Sequence, residues 1–493
     1  MSSQNGTFDL WRRRSGLVLA PVAFLAAWWL SVDLTPAAHR LAAVLAAVIV
    51  LWITEAIPMA MTAFLGVSAA VVLRVAPAPE AFAAFADPLV FLFVGTFLLA
   101  RAIFFHGLDR RFAIAILAFR GVGDRPGRIL AAYAVAACAM SMWISNTATT
   151  AMMYPIGLAL LGLLHGERSK AAGGYAAVLL LSNAFAASIG GVATPVGTPP
   201  NLIGLGFIRR ETGVELPFFS WMALGIPVTA VLLAFALANL WLGRGGDTGS
   251  LRGSSERLAE ERAALGPWTR GQKNTVIAFS FTVVLWVLPG IIALTSGTEH
   301  WLYRALLAST PEGVAALLGA SLLFLLPVDL RRLEFTLDWE EAVRIDWWIV
   351  FLYGGGMALG ALSFKTGLAE AVGNGLTASL GVDSALGLLV VSTALATVLS
   401  ETTSNTASAT MVVPVVIAFA RSAGIDPILP AVGATMGASL GFMLPVSTPC
   451  NAIVYASGRI PLTAMMRHGV LLDVAGVTTI VLVIWFLGPL VVG

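Results

Sequence analysis

Two short polar tracts interrupt the long apolar stretches of this chain, SNTATT at 145–150 and SNTASA at 404–409. Ser, Asn and Thr favour helix caps and turns because their side chains bond nearby backbone groups. In lipid, a break in a helix is tolerated only where it is buried in protein or faces a water-filled cavity. The two tracts therefore predict helix breaks inside the protein that contact something other than lipid.

The rest of the chain is too apolar for a soluble domain. Of its 493 residues, 58% are hydrophobic and 11% are charged, whereas a soluble domain has about 25% charged residues. The stretches 41–58, 222–242 and 469–492 are as long and apolar as a spanning helix. The sequence predicts an all-α polytopic protein of the lipid bilayer with about 11 transmembrane helices. A net charge of +2 gives no indication of a nucleic-acid partner.

Three stretches recur in the same order in the two halves of the chain. VFLFVGTFLLARAIFFHGL (90–108) matches VFLYGGGMALGALSFKTGL (350–368), and the two SNTA tracts match each other. Further along each half, PVGTPPNLI (195–203) matches PVSTPCNAI (445–453). Because three matches of this length keep the same order, they indicate an internal duplication.

The duplication and one polar segment divide the chain into four parts. They are an N-terminal cytoplasmic segment with helix 1 (1–39), a first repeat (40–242), a cytoplasmic linker (243–271) and a second repeat (272–493). Each repeat is expected to contain a re-entrant hairpin with a polar tip, and then a broken helix. The expected hairpins are 127–164 and 383–421, and the expected broken helices are 172–208 and 427–457.

The distribution of Lys and Arg predicts the orientation of the chain. With the N-terminus in the cytoplasm, 21 Lys and Arg fall in cytoplasmic segments and seven fall outside, which satisfies the positive-inside rule. The C-terminus then lies outside, and an odd number of spans gives the two repeats inverted topology. Inverted repeats with interrupted helices are typical of secondary transporters. We expect a multi-pass protein of a bacterial inner (plasma) membrane.

Each polar tract is expected where one helix of its hairpin ends and the next begins. Ser and Asn then occupy N-cap positions, and free N–H groups and the positive end of the helix dipole point at one spot. Two such tips, one from each repeat, would each grip a carboxylate near the membrane midplane. The alternative is that the tract residues only cap their helices. The candidate donors are Ser145, Asn146, Thr147, Ser404, Asn405 and Thr406.

Two proline-containing loops, ATPVGTPPN (193–201) and LPVSTPCN (444–451), break the other helix of each repeat. Proline removes an N–H and leaves the carbonyl one turn back without its donor. Such carbonyls, together with Ser, Thr and Asn oxygens, form the kind of site that coordinates Na⁺ in transporters. The alternative is a kink needed for packing alone, but the matched positions and the threonines favour a ligand role.

The stretches around these breaks resemble a known family. Residues 439–454, SLGFMLPVSTPCNAIV, carry a serine, a phenylalanine three residues later, then proline, asparagine and a closing Ile-Val. SMWISNTAT (141–149) and LWITEAIPMAMTA (51–63) are similar to further family motifs. Over residues 40–490 the chain resembles the divalent anion:sodium symporters, which carry dicarboxylates, citrate or sulfate. The resemblance implies an elevator-type homodimer, each protomer having a scaffold domain and a mobile transport domain.

Transferred by position, the resemblance also implies a set of ligands. One sodium site would use Ser141, Ser145, Asn146 and the backbone near Gly197. Its symmetry mate would use Ser400, Thr403, Asn405 and the backbone near Ser447. Besides the two Asn–Thr pairs, the substrate would contact Thr198, Pro199, Thr448 and Pro449. The second repeat has Cys450 where the first has Pro200, a departure from the repeated pattern.

The predicted function is Na⁺-coupled symport of a C4-dicarboxylate such as succinate, malate or fumarate into the cell. A dianion in a low-dielectric site needs compensating charge, and no Lys or Arg occurs in the four motif stretches. Helix dipoles and co-transported Na⁺ must therefore supply it, without an organic cofactor. We expect Na⁺ to bind first, with two or more ions per dianion. The alternatives are a Na⁺-independent dicarboxylate exchanger or a Na⁺-coupled citrate or sulfate transporter of the same family.

Functions of other classes fit the sequence less well. An intramembrane hydrolase needs a Ser–His or Asp–Asp constellation at membrane depth. No histidine or paired aspartate accompanies the tracts, so we expect no enzyme activity. A channel would share the polar lining, but an inverted repeat with broken helices favours alternating access.

The remaining charged features are interpreted as structural. Glu401 is expected to cap the second hairpin at a water-filled mouth, with cation or proton binding as the alternative. Glu55 and Arg101 are expected at helix ends or as a pair between helices. The run 251–263 reads as a solvated linker, and FTLDWEEAVRID (335–346) as an amphipathic arm along the membrane surface.

Overall fold

A computed structural model describes residues 3–30, 33–119, 121–162, 170–244, 253–380, 382 and 384–492. The last two residues of the expected hairpin 127–164, residues 245–252 of the expected linker, the first residue of the expected hairpin 383–421 and Gly493 lie outside this part of the chain. The described chain is helical apart from one two-stranded sheet. The all-α prediction is therefore confirmed.

The first half of the described chain forms eleven α-helices. Several begin at a side-chain cap followed by proline: Thr35 caps the helix that starts at Pro36, and Asp87 caps the one that starts at Pro88. The helices are α1 (Ser3–Trp29), α2 (Pro36–Thr54), α3 (Met59–Val72), α4 (Ala78–Ala81), α5 (Pro88–Phe105), α6 (Leu108–Leu117), α7 (Pro126–Ser141), α8 (Asn146–Leu161), α9 (Lys170–Val192), α10 (Pro199–Thr212) and α11 (Phe218–Gly243).

The second half forms twelve α-helices and a small antiparallel sheet within the described residues. Thr269 and Gln272 form a capping box at the start of the helix Arg270–Ser296. The elements are α12 (Ser254–Ala264), α13 (Arg270–Ser296), α14 (Trp301–Ser309), α15 (Glu312–Leu325), β1 (Pro327–Asp329), β2 (Glu334–Phe335), α16 (Trp339–Ala342), α17 (Trp347–Thr366), α18 (Leu368–Leu380), α19 (Ala385–Thr402), α20 (Asn405–Ser422), α21 (Ile428–Gly437), α22 (Pro449–Tyr455) and α23 (Leu462–Val492).

The expected hairpins and broken helices each contain two helices. The first hairpin segment holds α7 and α8, and the second holds α19 and α20. Eight of the described helices are long and apolar enough to cross a membrane, or nine if α14 and α15, which meet at a 68° bend, form one span. The count of 11 spans and the re-entrant course of the hairpins stay predictions.

The duplication is visible in matched details of the two repeats. Pro155 and Pro414 are each the tenth residue of the second hairpin helix. Gly107 and Gly367 end the matched helices α5 and α17 with φ of 64° and 82°, a left-handed conformation that glycine adopts without strain. After each glycine a further amphipathic helix, α6 or α18, leads to the hairpin.

The two repeats exchange contacts at their breaks. The hairpin helix α8 of the first repeat packs against α22 of the second, and α20 of the second packs against α10 of the first. The buried rings of Phe185 and Phe442 meet edge to face with centroids 5.3 Å apart. Gly204 allows α10 to approach α21, because a Cβ there would lie 1.9 Å from Oγ1 of Thr435. The helices at the breaks of one repeat therefore pack against those of the other repeat.

Two charged segments contain regular structure. In the run 251–263, expected to be a solvated linker, α12 begins at Ser254; its side chains there are exposed or half-buried apart from Ser254 and Leu258. The segment 335–346, expected to be an amphipathic arm, contains the end of β2 and the single-turn helix α16, and its place along a membrane surface stays a prediction. Glu341 of α16 forms an ion pair with Arg101 of α5, so the side chain of Arg101 is paired between elements.

A second ion pair holds the N-terminal helix in place. The guanidinium of Arg12 in α1 lies 2.9 Å from the carboxylate of Glu55, which follows the end of α2. Both side chains are partly buried, which favours a defined contact over a solvated surface pair. Glu55 thus lies at a helix end, as expected, and it also forms a pair between helices, with Arg12 as its partner.

The loop before α7 fixes the position of α12. Oδ1 of Asp124 accepts hydrogen bonds from Oγ of Ser254 at 2.7 Å, from N of Ser255 at 3.1 Å and from Oγ of Ser255 at 3.0 Å. The Ser254 hydroxyl and then the Ser255 amide lower the pKa of Asp124. The carboxylate therefore stays ionised at neutral pH, and the contact is lost as the pH falls through this lowered pKa.

Asp124→Ala should release α12 from that loop. We expect amide hydrogen exchange across Ser254–Ala264 to rise about tenfold, because the hydrogen bonds lost are together worth about 1.5 kcal/mol. Hydrogen-exchange mass spectrometry of the purified protein measures this. Glu260→Ala on the same helix should leave the exchange unchanged. Equal exchange in Asp124→Ala and the unaltered protein would contradict the docking.

Candidate functional site

Both polar tracts lie at the start of the second hairpin helix. Ser145 is the N-cap of α8 and its hydroxyl accepts from N of Ala148 at 3.3 Å. Ser404 is the N-cap of α20 and accepts from N of Ala407 at 3.2 Å. The expected capping is present at both positions. Each helix start therefore presents its remaining N–H groups and the positive end of its dipole to one spot.

A serine of the preceding helix contacts the tract asparagine in the same way in each repeat. Oγ of Ser141 donates to Oδ1 of Asn146 at 2.7 Å, and Oγ of Ser400 donates to Oδ1 of Asn405 at 2.7 Å. In the second repeat, Ser400 also donates to the carbonyl of Ala438 at 2.8 Å. In each repeat, the serine and asparagine oxygens of this pair lie close enough to coordinate the same hard cation.

The proline loops close over these serine–asparagine pairs. A Cβ on Gly197 would lie 2.6 Å from the carbonyl oxygen of Gly191 and 3.0 Å from that of Ser141. A Cβ on Gly191 would likewise lie 2.5 Å from Oδ1 of the Asn146 side-chain amide. Only residues without a side chain fit here, so the end of α9 lies against the Asn146 side chain and the loop at Gly197 lies against the backbone carbonyl of Ser141.

The second repeat has a looser arrangement. A Cβ on Gly441 would lie in ordinary contact, 3.4 Å from Oγ of Ser400 and 3.5 Å from Cβ of Ser447. The hydroxyl of Thr403, in the break itself, is buried and has no hydrogen-bond partner among the described residues. Thr403 therefore has a free oxygen between the two helices that carry Ser400 and Asn405.

The two tips differ in their exposure. Thr147 at the first tip is exposed, whereas Thr406 at the second tip is buried. The loop threonines Thr198 and Thr448 are both buried, as N-caps of α10 and α22. Pro199 is half-buried and Pro449 is exposed. No hydrogen bond within the described part of the chain joins the two tips directly.

Cys450 connects the two repeats at this site. Its buried thiol lies beside the hydroxyl groups of Thr147, Thr150 and Ser188 in the first repeat. Pro200, its counterpart, has no such polar group to offer. The first tip therefore meets the start of α22 at Cys450.

Glu401 occupies a different place from the one expected. Its carboxylate is buried and accepts from N of Met443 at 2.7 Å, from N of Leu444 at 3.2 Å and from Oγ of Ser447. Asp473 of α23 lies against the same carboxylate. The prediction of a water-filled mouth is wrong, because Glu401 supplies acceptors for N–H groups that the break in the helix leaves without partners.

Two asparagines that are absent from the predicted substrate and sodium ligands stand at the start of α10 and α22. Asn201 and Asn451 are fully buried and each is the third residue of its helix. The signal for them was present in the sequence, since each stands at the same place in its repeat, two residues after Pro199 or Pro449. Asn201 bonds the last turn of α9 and the loop after it, and Asn451 bonds the loop between α21 and α22.

Comparison with known proteins identifies the family of this chain. Residues 11–492 match the family described as the sodium:sulfate symporter transmembrane region. The chain belongs to this family. The resemblance to sodium-coupled divalent-anion symporters is thereby confirmed, and so is the prediction of a multi-pass membrane transporter rather than an enzyme.

Individual relatives cover most of the chain. The sodium-dependent dicarboxylate transporter SdcS of Staphylococcus saprophyticus is 34% identical over 449 residues, 90% of this chain and 84% of its own length. SdcS of Staphylococcus aureus is 31% identical over 489 residues, 97% of this chain and 92% of its own length. The crystal structure of the YdaH transporter of Alcanivorax borkumensis is similar with a TM-score of 0.51 at 15% identity, covering 83% of this chain and 87% of that one. At this identity the likeness concerns the fold alone.

Glu401→Ala should loosen the second proline loop. Its loss leaves the amides of Met443 and Leu444 without an acceptor, at an expected cost of about 2 kcal/mol or more. We expect a lower thermal unfolding midpoint of the purified protein in detergent. Glu340→Ala, at an exposed glutamate of α16, is the matched control. An unchanged midpoint in Glu401→Ala would mean that the loop does not depend on this carboxylate.

Proposed function

We propose that the protein carries a C4-dicarboxylate, such as succinate, malate or fumarate, into the cell together with Na⁺. The observation that carries the proposal is the duplicated break, in which a capped helix start and a serine–asparagine pair occur in each repeat. A ligand with two separated carboxylates fits two such helix starts. The relatives SdcS, whose name gives dicarboxylate as cargo and sodium as requirement, support the same choice.

The substrate side of the site is neutral apart from its dipoles. The proposed contacts are those of the two tracts and the two proline loops: Ser145, Asn146, Thr147, Thr198, Pro199, Ser404, Asn405, Thr406, Thr448 and Pro449. None of them carries a charge, so the dianion depends on N–H groups, hydroxyl groups and nearby Na⁺. Removing Na⁺ would leave two negative charges in a site of low dielectric, which is the physical basis of the coupling.

The proposed sodium sites lie where each proline loop meets its serine–asparagine pair. The first uses Ser141, Ser145, Asn146 and Gly197, and the second uses Ser400, Thr403, Asn405 and Ser447. These positions offer hydroxyl, amide and carbonyl oxygens, the ligands that hard cations prefer. Ser447 is shared with Glu401, whose carboxylate adds negative potential near the second site.

The transport step is proposed to be an elevator movement of α7–α11 and α19–α23 against a scaffold that includes α2, α3, α5, α13, α15 and α17. The scaffold helices pack on one another, as α5 does on α15 and α3 on α17. The amphipathic helices α6 and α18 would connect the two groups at matched positions. We further propose a homodimer, with the N-terminus in the cytoplasm and the C-terminus outside.

Uptake into proteoliposomes tests the coupling. Radiolabelled succinate should accumulate with an inward Na⁺ gradient and should not accumulate when choline replaces Na⁺, because the dianion then lacks its counter-charge. Equal uptake with choline would favour the alternative, a Na⁺-independent exchanger, which efflux from succinate-loaded vesicles would reveal. Stronger competition by citrate or sulfate than by malate would favour the other alternative, a citrate or sulfate transporter of the same family.

Asn146→Ala and Asn405→Ala should each reduce succinate uptake at least about a hundredfold. Each removes a cation ligand and a substrate donor at once, and two lost contacts of about 1.5 kcal/mol each account for this size. Both variants should elute from size exclusion as the unaltered protein does. Asn274→Ala, at a partly buried contact of α13 away from the breaks, serves as control. Near-normal uptake in both variants would leave the tracts as helix caps only.

A further inference from the structure

The two buried asparagines of α10 and α22 make the same pair of hydrogen bonds. Nδ2 of Asn201 donates to the carbonyls of Gly191 at 2.9 Å and Thr194 at 2.8 Å. Nδ2 of Asn451 donates to the carbonyls of Gly441 at 3.0 Å and Leu444 at 2.9 Å. In each repeat the acceptors stand ten and seven residues before the asparagine. One amide group therefore joins both sides of each break.

The amide has no other role that the structure reveals. Oδ1 of Asn201 and Oδ1 of Asn451 are buried and have no hydrogen-bond partner among the described residues. A buried acceptor without a partner is unfavourable, and an apolar side chain of the same branched shape, such as leucine, would avoid it. Because the same unfavourable oxygen occurs in both repeats, the two donated bonds are the feature that the position requires.

The bonded carbonyls belong to residues that touch the proposed sodium ligands. Gly191 packs against Oδ1 of Asn146, and its carbonyl oxygen lies against Gly197. Gly441 packs against Oγ of Ser400 and against Ser447. A movement of either carbonyl would therefore change the spacing between the proline loop and the serine–asparagine pair.

We propose that Asn201 and Asn451 are positioning residues that set the shape of the two sodium sites. Each holds the loop carbonyls in a fixed place across its break, so that the loop is preformed when the ion arrives. A preformed site binds its ion without the cost of ordering the loop. The inference rests on the proposed Na⁺ coupling and adds to it two residues that do not contact the ion.

Asn201→Leu and Asn451→Leu keep the branched shape of the side chain, at a larger volume, and remove the two donated bonds. We expect each to raise the Na⁺ concentration for half-maximal succinate uptake about tenfold, the size that two weak hydrogen bonds account for. At saturating Na⁺, the succinate concentration for half-maximal uptake should change less than about twofold, since neither side chain touches the substrate. This separation is what a general loss of folding would not produce.

Binding without transport gives the second readout. Na⁺ should raise the thermal midpoint of the unaltered protein in detergent, because a ligand that binds the folded state stabilises it. The rise should shift to about tenfold higher Na⁺ in both leucine variants. Where leucine prevents folding, Asn201→Ser and Asn451→Ser, whose shorter side chains do not reach the loop carbonyls, replace them with the same expectation.

The matched control is Asn274 of α13. Its Nδ2 also bonds several groups, the carbonyl of Pro327 at 3.1 Å and Oγ1 of Thr336 at 2.9 Å, but none of these lies at a break. Asn274→Leu should change neither the Na⁺ dependence of uptake nor the Na⁺ response of the thermal midpoint. A shift equal to that of the break variants would assign the effect to the loss of any buried amide and overturn the inference.

The outcomes separate this inference from the proposed function. Uptake that depends on Na⁺ in the unaltered protein, with unchanged Na⁺ dependence in both break variants, overturns the positioning role alone. Uptake without Na⁺ in the unaltered protein overturns both. A shift in the succinate dependence at saturating Na⁺ that equals the shift for Na⁺ would make the asparagines substrate-site residues and also contradict the inference.

Discussion

Each break in a buried helix leaves N–H and C=O groups without their usual partners, and those groups must find others inside the protein. This requirement organises the centre of the fold. Ser145 and Ser404 cap the hairpin helices, and the Glu401 carboxylate accepts the free N–H groups of the second proline loop. The groups left over after these contacts are the ones that a cation or an anion can use.

The exchange of contacts between the repeats follows from the same requirement. A short helix such as α22 cannot bury its own ends, so it packs against α8 and α9 of the other repeat. Cys450 then lies beside Thr147 and Ser188, so the break of the second repeat packs against the first repeat. A substrate held by both tips, as proposed, would contact both repeats.

Several parts of the site followed from the sequence and others did not. The serine caps followed because their residue types favour that position at a helix start, and the match of the two repeats located the proline loops. The role of Glu401 did not follow, because its acceptors meet amides about forty residues further along the chain. Asn201 and Asn451 were visible as matched residues, but their bonds to the loop carbonyls depend on how the loop folds back.

By itself the sequence determined that the chain is an all-helical membrane transporter with a duplicated pair of breaks, since apolar length, turn-forming residues and matched order are local properties. The tertiary structure alone decided which groups at the breaks are already satisfied and which remain free. It also decided that α12 docks on the loop at Asp124 and that Arg101 pairs with Glu341. These outcomes rest on distances between residues that are far apart in the chain, and such distances follow from packing and not from pattern.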